Sequence, residues 1–250
     1  MARDTSHALS FGGEADAYDR GRPSYPLDAV EWLLSRAATD DSALPDVVDV
    51  GAGTGKFTTG LVGRVASVTA VEPDAQMRAR LVANLPGVLA LDGTAENIPL
   101  GDDSADVVTV AQAWHWVDVE AASREAARIL RPGGVLALVW NIRDDSIDWV
   151  HRLSGIMGAS AAEKYDSITP PVGPPLTRDA HAEFRWTATV DHDQLLAMIT
   201  SRSYVIAMPT TDRAAMLTRV EDLLTTHRDL TGRAAFDLPY VTRVTIAREF

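Results

Sequence analysis

The chain has no cysteine, which removes disulfides, thiolate metal sites, Fe–S clusters and cysteine nucleophiles together. Positive charge is scarce: 23 Lys and Arg stand against 35 Asp and Glu, for a formal charge of −12. That balance argues against a nucleic-acid partner, because non-specific affinity for phosphate backbones rests on clustered Lys and Arg that release counterions. Long apolar runs are also missing. The strongest, Val135 to Trp140, is far too short to span a bilayer. The opening MARDTSHALS lacks the apolar region of a secretory signal, so a cytoplasmic protein with no membrane partner is expected. No internal repeat or low-complexity tract is visible. What remains is ordinary globular composition, 46% hydrophobic and 23% charged over 250 residues. That length suits one α/β domain with additions.

The texture of the chain changes three times. Phe11 to Pro26 is rich in Gly, Pro and polar residues with aromatic punctuation, and LDAVEWLLSRAA after it places Val30, Leu33, Leu34 and Ala37 at helical spacing. From Pro45, short apolar runs alternate with helical segments. Strands are expected at Asp46–Val50, Ser67–Val71, Gly87–Leu91, Asp106–Ala111 and Val135–Trp140, with helices after Gly55, from Asp74 and over Glu120–Leu130. Continuous apolar strands separated by helices indicate a buried, mostly parallel sheet of the doubly wound, Rossmann-like α/β class. Beyond Asn141 the rhythm weakens. A helix carries Ile147, Val150, Leu153 and Met157, and the Pro-rich stretch Thr169–Pro175 is irregular. A strand follows at Glu183–Val190, then a helix capped by Asp191 with Gln194 in the capping-box position. A longer helix holds Met216, Val220, Leu223 and Leu224 on one stripe, and an antiparallel last strand covers Tyr240–Ala247. Three parts are therefore expected: a lid and first helix at 1–44, a cofactor-binding core at 45–145, and at 146–250 a continuation of the same domain with inserted cap helices.

The most informative segment is Asp49-Val50-Gly51-Ala52-Gly53-Thr54-Gly55-Lys56-Phe57, where a strand ends in alternating glycines and a helix begins. Without Cβ atoms, such a turn brings backbone N–H groups and a helix N-terminus close to a ligand. A phosphate loop, G-x-x-x-x-G-K-S/T, fails because position 50 is Val and position 57 is Phe. A dinucleotide fingerprint counted from Gly51 puts Lys56 at its last position, which disfavours NAD(P). Glu72 follows the second strand, 21 residues after Gly51. An acid there accepts hydrogen bonds from ribose hydroxyls, which supports a nucleoside without choosing between cofactors.

The pattern of Asp49, Gly51, Gly53 and Gly55 meets the acid-x-G-x-G-x-G motif in full and resembles the first motif of class I S-adenosylmethionine-dependent methyltransferases. The resemblance continues through Glu72-Pro73-Asp74-Ala75-Gln76-Met77, through Asp92-Gly93-Thr94-Ala95-Glu96-Asn97-Ile98-Pro99-Leu100, through Ser104-Ala105-Asp106-Val107-Val108 and through Leu130-Arg131-Pro132-Gly133-Gly134. It covers roughly Pro45 to Trp140. Ala111-Gln112-Ala113-Trp114-His115-Trp116 and Tyr18-Asp19-Arg20-Gly21-Arg22-Pro23-Ser24-Tyr25-Pro26 resemble the subgroup related to trans-aconitate methyltransferase and to ubiquinone and menaquinone biosynthesis. The resemblance implies S-adenosyl-L-methionine as cofactor and methyl transfer to a small-molecule acceptor, at oxygen or carbon. It implies cofactor contacts from Asp49, Gly51, Ala52, Gly53, Gly55, Glu72 and Pro73, with Met77 packing on the adenine. Thr94 stands where an Asp is usual, so adenine recognition shifts toward Ala95 and Glu96. Gln112 is expected on the methionyl portion.

Methyl transfer from a sulfonium is an in-line displacement, so aligned approach and water exclusion carry much of the catalysis. His115, after the fourth strand, is the candidate base for a hydroxyl or acidic carbon. Trp114 and Trp116 flank it, and alternation along an extended segment would send both to one side. Tyr18, Arg22 and Tyr25 are candidates to close the pocket, with an arginine able to hold a carboxylate bidentately. Trp116 joins His115, Tyr18 and Arg22 in the expected catalytic set, although packing roles account for these residues about as well. Arg143, after the fifth strand, is a candidate either to contact substrate or, by preference, to pair with Asp144 or Asp145. Asp191-His192-Asp193 coincides with a helix start, and no histidine has an i,i+4 partner, so no metal is expected. There is no N-P-P-Y-type segment after the fourth strand, as in methyltransferases that act on nucleobase or glutamine amino groups. The other readings are a cofactor-binding module without catalysis and a nicotinamide-dependent oxidoreductase. The expected assembly is a monomer or homodimer.

Overall fold

A computed structural model describes residues 22–37, 43–158, 165 and 168–249. Seven strands form one sheet in the order β3-β2-β1-β4-β5-β7-β6. The elements run α1 (Leu27–Leu34), β1 (Asp46–Val50), α2 (Thr58–Leu61), β2 (Ser67–Val71), α3 (Ala75–Asn84), β3 (Leu89–Leu91) and β4 (Ala105–Ala111). A 3-10 helix (Trp114–Trp116) leads to α4 (Val119–Ile129), β5 (Leu130–Arg143), α5 (Asp148–Met157) and β6 (Thr177–Asp191). The chain closes with α6 (His192–Thr200), α7 (Ser203–Ile206), α8 (Thr210–Thr226) and β7 (Ala235–Arg248). β1 to β5 pair in parallel, and β7 runs antiparallel to both β5 and β6. This is the doubly wound α/β class expected from the alternating runs.

The central strands are apolar on both faces because both are covered. Val48, Val50, Val108, Val110, Leu136 and Leu138 pack on Ala122, Ala126 and Ile129 of α4. Their neighbours Val47, Val107, Val135, Ala137 and Val139 face Val30 and Leu33 of α1, with Phe57 and Leu61. Period-two alternation thus feeds two cores from one set of strands. Capping chemistry fixes the helix starts. The Asp74 carboxylate accepts the N–H groups of Gln76 and Met77, and Asp118 accepts that of Ala121. Asp191 and Gln194 complete the capping box at α6.

At the N-terminal ends of the strands, Arg131 Nη1 lies 3.0 Å from both Asp46 Oδ2 and Asp106 Oδ2. Asp46 N–H also donates to Asp106 at 2.8 Å. These acids staple β1, β4 and β5, leaving the opposite ends for the site. There β1 turns toward β2 and β4 toward β5, so the reversal of strand order opens a crevice between β1 and β4.

β6 and β7 extend well past the lengths read from sequence, at Thr177–Asp191 and Ala235–Arg248. Their distal halves leave the central sheet and carry Trp186, Phe236, Leu238 and Tyr240 into a further core with Val150 and Leu153 of α5, Ile199 of α6 and Val220 of α8. The cap is therefore built on a long hairpin as well as on helices. Ile147, placed on the α5 stripe by spacing, precedes that helix and is 41% exposed; Trp149 takes the buried position. The Arg143 guanidinium reaches Ser154 Oγ at 3.2 Å, and Asp144 bridges Arg185.

Candidate active site at the ends of β1 and β4

The glycine loop is pinned from two sides. Gly51 has φ 68°, and a Cβ on it would come within 2.8 Å of the Ala113 Cβ. A glycine there lets the β1 and β4 exits close on each other. The N–H groups of Gly51 and Ala52 donate to the Val71 carbonyl at 2.8 and 3.2 Å. Gly53 N–H donates to Glu72 Oε2 at 2.8 Å, and Glu72 Oε1 accepts Asp74 N–H at 2.9 Å. One carboxylate thus fastens the loop to the start of α3, and each oxygen keeps a second lone pair for a ligand hydroxyl. Burial pushes the Glu72 carboxyl up, against the lowering effect of the Asp74 and Gly53 N–H groups. Gly53, at φ 57°, lines a cleft, and a Cβ built on it meets nothing within 4 Å. The backbone is open there to close approach of a ligand. The helix that follows is only Thr58–Leu61, so its dipole contributes little and the loop amides dominate.

Asp49 is fully buried beneath this loop. Its Oδ2 accepts the Thr58 hydroxyl at 2.6 Å and its Oδ1 the Thr109 hydroxyl at 2.8 Å. Burial raises its carboxyl to about 6 in spite of both donors. The geometry makes Asp49 a residue that shapes the loop from below, joining β1, α2 and β4.

A cleft opens to solvent at the end of the loop. The loop supplies Asp49, Gly51, Ala52, Gly53, Thr54, Lys56 and Phe57; β4 and its exit supply Ala111 and Gln112. The far wall holds Arg22, Pro23 and Tyr25 before α1, Asn141 of β5, Met198 and Arg202 of the cap, and Tyr240 of β7. Tyr25 packs edge-on against Phe57, with centroids 4.9 Å apart, so the segment before α1 rests on the glycine loop. Gln112 has φ 59° and its Nε2 donates to the Asn141 carbonyl at 2.8 Å. That kink turns the chain out of β4.

The cleft gathers Asp49, Gly51, Ala52, Gly53, Gln112 and Arg22 from the residues read in the sequence. Gly55 supports the loop from behind it, where a Cβ would come within 2.9 Å of Leu85 Cδ1. Glu72 and Pro73 lie at the β2 exit, Pro73 accepting from Arg78 at 3.2 Å. Met77 is buried at 3% exposure on α3. Thr94 and Asn97 exchange backbone hydrogen bonds at 3.2 Å, Ala95 joins the α4-side core, and the Glu96 carboxylate accepts Asp118 N–H at 2.9 Å. Tyr18 falls outside the described residues.

The reading of Trp114 and Trp116 as neighbours on one side is corrected. The segment is a 3-10 helix rather than an extended strand, and at three residues per turn positions two apart diverge. Trp114 is buried, its indole donating to the Pro171 carbonyl at 2.8 Å. Trp116 lies half-buried against the His115 ring, with centroids 4.7 Å apart, and His115 also meets Tyr165 at 6.1 Å. Neither His115 nor Trp116 lines the cleft described above. Met198, Arg202 and Tyr240 of this lining are not marked by anything local in the sequence, and Lys56 is marked only by its place in the glycine loop. Among the described residues, no group of His, Cys, Asp and Glu is arranged to hold a metal ion. No helix among them is long and apolar enough to cross a membrane.

Residues 48–138 match the model of a methyltransferase domain family. Across nearly its whole length the chain is similar to an uncharacterized methyltransferase of Mycobacterium tuberculosis, 48% identical over 248 residues and 98% of each chain. A second similarity is to an uncharacterized methyltransferase-like protein of Schizosaccharomyces pombe, 28% identical over 225 residues, 87% of this chain and 86% of that one. Among solved structures, the fold is similar to that of a provisionally assigned type II methyltransferase of Anaeromyxobacter dehalogenans. The TM-score is 0.66 at 24% identity, covering 91% of this chain and 97% of the other.

Proposed function

The chain belongs to the class I S-adenosylmethionine-dependent methyltransferases, and from that membership we propose that it methylates a small molecule, at oxygen or carbon, in the cleft between the glycine loop and the cap. The observation that supports this reading is the cleft's composition. One wall is the loop of Gly51 and Gly53; the other is Arg22, Tyr25, Met198 and Tyr240, drawn from the segment before α1 and from the cap.

When bound, S-adenosylmethionine supplies an electrophilic methyl group on a positively charged sulfur. The site fits it: the Gly53 backbone is open, and the buried Glu72 carboxylate retains lone pairs for ribose hydroxyls. Gly51, Ala52 and Gly53 hold the cofactor's near side, Gln112 the methionyl end, and Met77, Thr94, Ala95 and Glu96 the adenine side. Asp49 and Gly55 keep the loop in shape. Tyr25 and Phe57 exclude water at the mouth, which strengthens the remaining electrostatic contacts. Arg22 orients the acceptor. His115, three residues beyond Gln112 and outside the lining of the cleft itself, is the group we propose takes the proton of a hydroxyl or acidic-carbon acceptor, with Trp116 against its ring.

The test is to incubate the enzyme with methyl-labelled S-adenosylmethionine and a cell extract, then separate the mixture by ultrafiltration. Label is expected in a new small molecule in the filtrate. Label confined to protein or nucleic acid would overturn the acceptor class while leaving the methyltransferase assignment intact.

A further inference from the structure

The acid that fastens the glycine loop is held in its turn by an arginine. The β2–β3 ladder ends at Val71 and Leu91, and the Glu72 N–H still reaches the Leu91 carbonyl at 3.0 Å. The next two carbonyls, those of Glu72 and Pro73, need partners outside the ladder. Both take Arg78, whose Nη1 donates to them at 2.6 and 3.2 Å. Arg78 Nη2 stands 3.4 Å from Asp92 Oδ2, just past β3. Its own N–H donates to the Asp74 carbonyl at 2.9 Å, which anchors the stem on the first turn of α3. One side chain thus ties the exit of β2, the start of α3 and the exit of β3.

The same guanidinium brings a positive charge to a crowded acidic corner. Glu72 is faced by Asp49 of β1, by Asp74 and Arg78 of α3, and across Arg78 by Asp92. Burial pushes the Glu72 carboxyl up, the two N–H groups pull it down, the Asp74 charge raises it and the Arg78 charge lowers it. Asp49 and Glu72 also repel each other's charged forms. The Asp92 side chain is 73% exposed, so water screens its pairing with Arg78. Glu72 is buried and interacts with the guanidinium through less solvent. Protonation would spoil the site, because both Glu72 oxygens already accept an N–H and a proton on either removes a lone pair from ligand hydroxyls.

We propose that Arg78 is a positioning residue for the cofactor's ribose, setting through the β2–α3 turn both the aim and the charge of the Glu72 carboxylate. The inference rests on the placement of the ribose at Glu72. Arg78 does not line the cleft, and acts on the ligand only through that carboxylate. Two backbone carbonyls and a carboxylate around one cation call for several N–H donors in a fixed plane, which a lysine ammonium lacks. Charge and geometry are therefore separable by substitution.

The experiment titrates the full chain with S-adenosylhomocysteine by calorimetry between pH 5 and 8, in wild type, Arg78→Met and Arg78→Lys. Affinity needs the ionised carboxylate, so it is present at the upper end of the range and lost as pH falls. Without the opposite charge, the pH at which affinity is halved is expected to rise by about half a unit or more in Arg78→Met. Arg78→Lys keeps the charge and should keep that pH near the wild-type value, while its affinity at pH 8 falls by about threefold to tenfold with the lost fork. Asp49 and the ligand are common to all three proteins, so a displacement between the profiles belongs to Glu72. A residue that merely packs would lower affinity by one factor at every pH. Parallel profiles in wild type and Arg78→Met, or full affinity in Arg78→Lys, would each overturn the proposal. Should Arg78→Met fail to fold, Arg78→Lys still decides it. Failure of the wild type to bind S-adenosylhomocysteine at any pH would overturn the cofactor placement beneath the proposal, and the proposal with it.

Discussion

Asn141 ties the segment before α1 to the sheet: its Nδ2 donates to the Ser24 carbonyl at 2.9 Å while its Oδ1 accepts the Thr242 hydroxyl at 2.5 Å. The Thr242 oxygen in turn accepts the Trp186 indole N–H at 2.8 Å. Donors point one way from the edge strand β6 to the cleft wall, and the Asn141 carbonyl takes Gln112 Nε2 on the way. Each partner in such a chain strengthens the next. Asn141→Leu removes both side-chain bonds and strands the Thr242 hydroxyl, a cost of roughly 1–3 kcal/mol. Hydrogen exchange read by mass spectrometry is expected to speed up over residues 24–30 and to stay unchanged in α4. Unchanged exchange over 24–30 would show that Asn141 does not hold this segment.

Asp49 gives the fold a defined pH signature. Its folded carboxyl sits at about 6 against an ordinary 3.8, so the ionised form is penalised in the folded protein. The penalty is full above about pH 6 and disappears as pH falls toward 4, where both states hold the proton. Stability of the wild type relative to Asp49→Asn should therefore rise on acidification across that window, by on the order of 3 kcal/mol. Urea denaturation of both proteins between pH 4 and 8 measures it. A difference independent of pH would mean the carboxyl is not buried as described.

Much of this site could be read before the structure, because the glycine loop and Glu72 belong to one strand–loop–helix segment whose spacing is local. Other features depend on residues far apart. The edge strand β6 pairs Thr177 with Arg248 and Asp191 with Ala235, so its length is set by a partner that local sequence does not contain. Its half-buried face, Ala180, Ala182, Phe184, Trp186, Ala188 and Val190, alternates in the sequence itself; only its extent depends on β7. Trp114 and Trp116 were misread because the positive φ of Gln112 ends the strand before them. Arg22, Lys56 and Arg202 meet only in the folded chain, and no spacing rule joins them.

The β6–β7 hairpin runs through both the sheet and the cap, so the cap should not unfold alone. Leu153 is fully buried among cap residues, and Leu153→Ala is expected to cost about 2–5 kcal/mol. Far-ultraviolet circular dichroism and tryptophan fluorescence should shift together, as one transition. Two separated transitions would show an independent cap.

Removing the proposed base, His115, should act on turnover rather than on binding. In His115→Gln, kcat at saturating cofactor is expected to fall by about 10²–10⁴-fold. S-adenosylhomocysteine affinity should be unchanged. Full turnover would reduce His115 to a packing partner of Trp116 and Tyr165.

The most direct measurement is calorimetric titration of wild type and Glu72→Gln with S-adenosylhomocysteine, with NADH as the comparison ligand. One site per chain is expected for S-adenosylhomocysteine and none for NADH. Glu72→Gln gives up one of the two loop-fastening acceptors and weakens the proposed ribose contact, so affinity should drop roughly tenfold to a hundredfold. No binding of S-adenosylhomocysteine by the wild type, or equal affinity in Glu72→Gln, would contradict the placement of the cofactor at this loop.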